Sequence, residues 1–326
     1  MTRTKIEIGL NAAIVAVEDE TPLILVVRAD SGRAADQDGL PLGAFDPLRH
    51  RTFEIGLRDW VEEQTALKLG YVEQLYTFGD RGRHAREGDV GHVVSVGYLA
   101  LTRKAGQPNA ALTRAGARWR PWYDYFPWED WRAGEPPIVS ETILPAMRAW
   151  ERADPSAAPP GRALGRRQRF RLAFGVGSMQ WDEERALDRY ELLYEAGCVF
   201  EAQRDGRVPQ DASPTPLGIP MRHDHRRILA TAISRLRSKL KYRPVVFELM
   251  APEFTLTELQ RTVEAIAGRH IHKQNFRRLV AAAQLVEPTG GTSDATGGRP
   301  AARFRFRREV LQERPGAGLR FGQRPG

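Results

Sequence analysis

Cysteine is almost absent: Cys198 is the only one in 326 residues. No intrachain disulfide can form, which fits a reducing cytoplasm. Among its apolar neighbours the thiol reads as a small buried hydrophobe. Long apolar runs are missing too. No stretch reaches the roughly 18 consecutive apolar residues that span a bilayer, so neither a transmembrane helix nor a membrane partner is expected. Met1-Thr2-Arg3-Thr4-Lys5 leads directly into an alternating apolar segment and lacks the core of a signal peptide. Acidic residues are scarce in the last third. Residues 225–326 hold 20 lysines and arginines against 8 aspartates and glutamates, whereas residues 1–224 hold 29 against 33. That asymmetry gives the C-terminal part a polyanionic partner. The basic residues are spread over several elements instead of one amphipathic helix, which favours nucleic acid over an anionic membrane.

The length suggests two domains. Ile6–Val17 and Leu23–Val27 read as a strand hairpin buried on both faces. Thr52–Leu67 turns helical, with Phe53, Leu57, Trp60 and Val61 inward. Gln74–Phe78 and Val93–Leu101 are strands, followed by aromatics from Trp119 to Trp131 that suit a core or dimer interface. A helix is expected around Glu141–Arg152, a linker at Asp154–Gly161, a strand at Phe170–Val176 and a helix at Asp182–Ala196. The expected organisation is an α/β domain over 1–152, an insertion or linker over 153–222 offering dimer contact, and a basic, mostly helical domain over 223–326.

In that last part Ile228, Leu229, Ala232, Ile233, Leu236 and Leu240 form one stripe of a long helix. Its other face carries Arg226, Arg227, Arg235, Arg237 and Lys239. A second helix starts at Thr255 or Thr257, with Glu258 able to close a capping box, and stops at Gly268. A third begins near His272, burying Phe276, Leu279 and Val280 and presenting Lys273, Gln274, Asn275, Arg277 and Arg278. Two helices joined by a short glycine-containing turn match a helix-turn-helix, and those side chains suit major-groove reading. The bland alternative is a solvated basic face. Leu285-Val286 then reads as a short strand, 287–300 as a long loop, and Arg303–Arg307 as a strand of alternating Arg and Phe. Its phenylalanines would face the core and its arginines phosphates, as in the wing of a winged helix. Arg299, Arg303 and Arg305 join the candidate DNA contacts.

In the first domain Arg58-Asp59-Trp60-Val61-Glu62-Glu63 places three carboxylates and an arginine on one side of a helix. Such a cluster can hold Mg²⁺ against a diphosphate, making Asp59, Glu62 and Glu63 candidate metal and effector ligands. An exposed helix with an Arg58–Glu62 pair is the plain alternative. The segment resembles the second half of a Nudix box. It departs from that pattern at Asp59 for Glu, Thr65 for Gly, Ala44 for the first Gly, and His50 for the upstream Glu.

A wider resemblance covers Gln74–Asp80, Val93–Leu101, Phe126–Trp131, the helix start at Asp224-His225, Asn275–Arg278 and Gly298–Ala301. It is to the Nudix-related transcriptional regulators of NAD metabolism, especially their longer alphaproteobacterial branch. The resemblance implies an α/β/α sandwich followed by a winged helix-turn-helix. It also implies a bacterial homodimeric repressor at palindromic operator DNA, acting on NAD biosynthesis or salvage genes. Its effector would be ADP-ribose, NAD or another adenine nucleotide, with no required cofactor beyond Mg²⁺ accompanying the nucleotide. Arg81 and Arg83 are candidate contacts to the effector's phosphates. The altered box argues against catalytic residues. A Mg²⁺-dependent Nudix pyrophosphatase, or a regulator with slow turnover, is the alternative.

Overall fold

The computed structural model describes residues 6–28, 37–79, 92–104, 109–154, 156, 163–208, 216–293, 300–313 and 318–319. The sheet is built around β1 (Ile6–Glu18), which pairs antiparallel with β2 (Thr21–Arg28). Short strands β3 (Asp38–Gly39) and β4 (Leu42–Ala44) pair with β2 and β1. Helix α1 (Phe53–Thr65) precedes β5 (Val72–Phe78) and β6 (His92–Leu101). β6 runs parallel to β1, with Leu10 opposite Val96, and antiparallel to β5. After α2 (Asn109–Arg114), β7 (Ala117–Pro121) closes the other flank against β2.

Strand side chains alternate between faces, so β1 must be covered twice. Leu10, Ala12 and Ile14 join Leu25, Val96 and Tyr98 in one core, beneath Leu57, Trp60 and Val61 of α1. Ala13 and Val15 join Ile24, Val26, Leu99 and Phe78 in the other. That second face is covered by α7 (His225–Leu240), through Ile228, Leu229 and Ile233, and by Trp122, Tyr125, Phe126 and Trp128. The aromatic cluster is core. The result is an α/β/α sandwich whose second layer is α7, the helix that sequence had grouped with the DNA-binding part. A boundary at 223 therefore cuts through the packing of the sandwich.

Helix α3 (Leu144–Ala153) follows a π-helical turn, and α4 (Arg166–Phe174) stands where a strand was expected. Phe170 and Phe174, four residues apart, bury one face of α4. Helix α5 (Ala186–Glu195) lies on α7, and α6 (Phe200–Arg204) beside α5. Residues 163–208 thus extend the core that continues from the sheet through α7.

The last module contains β8 (Phe254–Thr255), α8 (Leu256–Ala267), α9 (Lys273–Ala283), β9 (Val286–Ser293), β10 (Ala301–Phe306) and a final turn, α10 (Val310–Glu313). Strand order is β8-β10-β9, with Phe306 opposite Val286 and Arg305 opposite Glu287. β9 reaches Ser293, well into the segment expected to be a loop. Phe306 stacks on Phe247 with ring centroids 4.4 Å apart, and Phe247 stacks on Phe254 in turn. The alternation of Phe and Arg therefore does place phenylalanines inward. Among the described residues no helix is long and apolar enough to cross a membrane.

Candidate nucleic-acid interface and effector domain

Thr255 caps α8: its hydroxyl accepts from the Glu258 amide at 3.2 Å, and the Glu258 carboxylate accepts from the Thr255 amide at 2.6 Å. The capping box orders the start of the helix. Its end is the left-handed Gly268, at φ +71°. Glu264 then shapes the turn, accepting from the Gln260 amide side chain and the Ile271 N–H, both at 2.8 Å. His270 Nδ1 stands 3.0 Å from its other oxygen. Burial alone would raise the Glu264 carboxyl, but these contacts hold it below the usual carboxylate range.

The turn delivers α9 with Phe276 and Val280 buried and Lys273, Gln274, Asn275, Arg277 and Arg278 exposed. No carboxylate pairs with Lys273, Arg277 or Arg278 among the described residues. Arg278 meets only Asn275 Oδ1, at 3.5 Å. Lys273 and Arg277 line a cleft of about 700 Å³ with Thr255, Thr257, Pro300 and Phe304, so reading helix and wing strand open onto the same space. Thr257 was not foreseen as part of this surface. On the wing, Arg303 Nε donates to the Thr292 carbonyl at 3.4 Å, while Arg305 pairs across the strands with Glu287 at 2.6 Å. Arg305 is thus partly neutralised. Arg299 lies outside the described residues.

The cations of α7 behave differently. Arg226 and Arg237 are fully buried, Arg226 on Glu201 at 3.2 Å and Arg237 on Glu129 at 2.5 Å. Arg227 pairs with Glu191 and Asp224, and Arg235 and Lys239 both pair with Glu73 at 3.2 Å. The basic face read from the sequence is paired with carboxylates of the same chain, so the local excess of charge overstates what a polyanion meets. Of the candidate DNA contacts, Lys273, Arg277, Arg278 and Arg303 have no carboxylate partner among the described residues, whereas Arg305 has Glu287.

On α1 the Nudix-like segment forms as expected, with Thr52 as N-cap. Gly43 packs closely on this helix: a Cβ there would stand 2.7 Å from the Trp60 ring. The acids, however, go to separate cations. Asp59 faces His50 Nε2 at 3.8 Å, Glu62 faces Lys68 at 3.8 Å, and Glu63 faces Arg49 at 3.5 Å. Arg58 does not pair with Glu62. It reaches back to Glu54 at 2.9 Å and donates to the Leu69 and Gly70 carbonyls. No group of three or more His, Cys, Asp or Glu that could hold a metal ion occurs among the described residues, and Asp59, Glu62 and Glu63 each face a different cation. A hard cation needs converging oxygen ligands, and the buried imidazole of His50 occupies the place of one. Arg81 and Arg83 fall outside the described residues.

Residues 246–306 match the family model of the NrtR DNA-binding winged helix domain. The chain is 40% identical over 90 residues to the ADPR responsive transcriptional repressor NtrR of Acinetobacter baylyi; the match covers 28% of this chain and 36% of that relative's length. The fold is similar to that of Shewanella oneidensis NrtR in complex with a 27mer DNA, with a TM-score of 0.57 at 20% identity, covering 94% of this chain and 95% of that one. A MutT/nudix family protein of Enterococcus faecalis aligns with a TM-score of 0.52 at 15% identity, covering 94% and 88%. Residues 246–306 thus match the NrtR DNA-binding winged helix domain, and the chain as a whole has a fold similar to that of NrtR.

Proposed function

We propose that the protein is a ligand-responsive transcriptional repressor of NAD biosynthesis or salvage genes. It acts in the cytoplasm as a homodimer on a palindromic operator, with ADP-ribose or a related adenine nucleotide as effector. One observation carries this reading: among the described residues Lys273, Arg277 and Arg278 have no carboxylate partner, while every cation of α7 has one. Side chains left uncompensated beside a cleft and a wing suit DNA, where Asn and Gln read adenine and Arg reads guanine and phosphate. A two-fold dimer would present two α9 helices to successive major grooves.

The Nudix-like domain serves as the sensor. Dispersal of its α1 acids onto His50, Lys68 and Arg49 supports binding without hydrolysis and without required Mg²⁺. Arg81 and Arg83, with the face carrying Asp59, Glu62 and Glu63, are the proposed effector contacts. The effector acts by favouring the arrangement that binds DNA less well. The relative in Acinetobacter is named for response to ADPR, which makes ADP-ribose the first ligand to try.

The test is a gel-shift on the DNA upstream of the protein's own gene, with ADP-ribose, NAD and ATP added in turn. A specific shift released by ADP-ribose is expected. Equal binding to unrelated DNA would overturn the repressor, and a shift indifferent to all three nucleotides would overturn the sensor.

A further inference from the structure

The C-terminal end of α8 is one of the places where the winged helix meets the sandwich. A helix leaves its last carbonyls without intrahelical partners, and water or the helix's own cap usually supplies them. Here the donors come from the other domain. Tyr123 Oη donates to the Ala265 carbonyl at 2.7 Å, Arg237 Nε to that of Ile266 at 2.9 Å, and the Trp131 N–H to that of Gly268 at 2.6 Å.

These donors belong to one interlocked unit. Glu129 receives Arg189 through both carboxylate oxygens, at 2.6 and 2.8 Å, and Arg237 at 2.5 Å. Arg237 also donates to the carbonyls of Glu129 and Glu183. All three side chains are fully buried. Gly268 sits against this unit: a Cβ there would collide with the Glu129 carbonyl and stand 2.9 Å from Tyr123 Oη. Downstream, the turn fixed by Glu264 transmits the direction of α8 to α9.

Upstream, the same helix that supplies Arg237 is pinned to the sheet edge. Arg235 and Lys239 both hold Glu73 on β5. A displacement of β5 would therefore reach α7, and through Arg237 the end of α8. Packed elements of this kind pass on discrete shifts because they cannot deform continuously.

We propose that Tyr123, Glu129, Arg237 and Gly268 form the joint that couples the sensor domain to the placement of α9, a role that rests on the repressor reading above. None of them lies on the exposed face of α9, so they act as positioning residues. The joint fixes how the two reading helices of a dimer stand relative to each other, which decides whether both half-sites can be engaged.

The test compares the full-length wild type with Gly268→Ala, which drives a methyl into the joint, and the milder Tyr123→Phe, which removes one donor. Binding is measured to the full operator and to a duplex holding one half-site, with and without ADP-ribose. Wild-type coupling should fall in the usual range of about 5- to 150-fold. In the variants it should drop to within about two-fold of none, while half-site affinity stays within about two-fold of wild type. Small-angle X-ray scattering should show a broader distance distribution for Gly268→Ala with unchanged circular dichroism. Full coupling in folded Tyr123→Phe and Gly268→Ala overturns the joint, as does an unchanged scattering profile. If wild type binds its operator but ignores ADP-ribose, the sensor reading and the coupling role fall together. Scattering still decides whether these residues hold the winged helix in place. If Gly268→Ala does not fold, Tyr123→Phe decides the coupling alone.

Discussion

Arg237 and Glu129 lie 108 positions apart in sequence and meet at 2.5 Å with neither side chain exposed. Burial alone would raise the Glu129 carboxyl, but Arg189 and Arg237 hold it below the usual carboxylate range. Two guanidiniums share one carboxylate, and carbonyls of Ile266, Glu183, Asp182 and Ala173 take up other arginine protons. Such satisfaction allows charge to be kept out of water.

Glu129→Gln should therefore be among the most damaging conservative changes in the chain. It leaves two buried arginines with no anion, and loss of one partner of a buried pair costs about 3–5 kcal/mol. Urea unfolding followed by circular dichroism would read the loss. A midpoint equal to wild type would show that the two arginines find another counter-charge.

The hydrophobic stripe of α7 was legible in sequence because periodicity reports which face is buried. It does not report against what. Ile228 and Leu229 look the same whether they face a sheet or a helix-turn-helix, so sequence alone groups the helix with its neighbours in the chain. Arg226 and Arg237 were read as surface because arginine rarely leaves water unpaired, and their partners Glu201 and Glu129 are far along the chain. Phe170–Phe174 was a short apolar run, for which strand and helix patterns are hard to separate. In β9, Thr289-Gly290-Gly291-Thr292 lacks strand propensity, and pairing with β10 overrides it. The helix-turn-helix was legible because its signals are local: a capping box, a left-handed glycine and an inward Phe276.

Burial pushes the Cys198 thiol up to about 11. The thiolate is the reactive form, so at pH 8 only roughly one molecule in a thousand would carry it. Iodoacetamide should leave the native protein largely unlabelled at that pH and label it quickly in urea. Rapid native alkylation, read by mass spectrometry, would mean that the thiol reaches solvent.

Glu264 links the folding of the turn to pH. Its native carboxyl lies below the ordinary range, so the stability it contributes is complete above the unfolded value of about 4.3. That contribution disappears as pH falls through the lowered native value. Glu264→Gln should cost about 1.5–3 kcal/mol at pH 7, the typical worth of hydrogen bonds to a charged group, and progressively less below pH 4. Parallel denaturation curves at several pH values would show the two proteins converging. A constant difference would place the effect on shape instead of charge.

His50 stands within reach of Asp59 at the position where a Nudix box would supply a carboxylate. His50→Glu restores an oxygen ligand beside Asp59. In the variant Mg²⁺ should raise the melting temperature, because the cation relieves repulsion between the two acids. Wild type should show no such shift. An equal response in both would indicate magnesium ligands elsewhere in the chain.

The contrast between α7 and α9 gives the sharpest test of where DNA lies. Arg235 is already paired with Glu73 at 3.2 Å, although its side chain is exposed. Arg277 faces the cleft, and its charge has no protein partner among the described residues. Each phosphate contact releases condensed counterions, so its removal lowers the slope of log K against log salt by about one. Arg277→Ala should weaken operator binding in one of two recognisable ways. If Arg277 meets phosphate, all sequences lose affinity together and the slope falls. If it meets a guanine edge, about 1–3 kcal/mol of discrimination is lost at one operator position. Arg235→Ala should change neither quantity, although both substitutions remove one positive charge from the same basic third of the chain. Equal losses from the two would mean that bulk charge, and not the geometry of α9, holds the DNA.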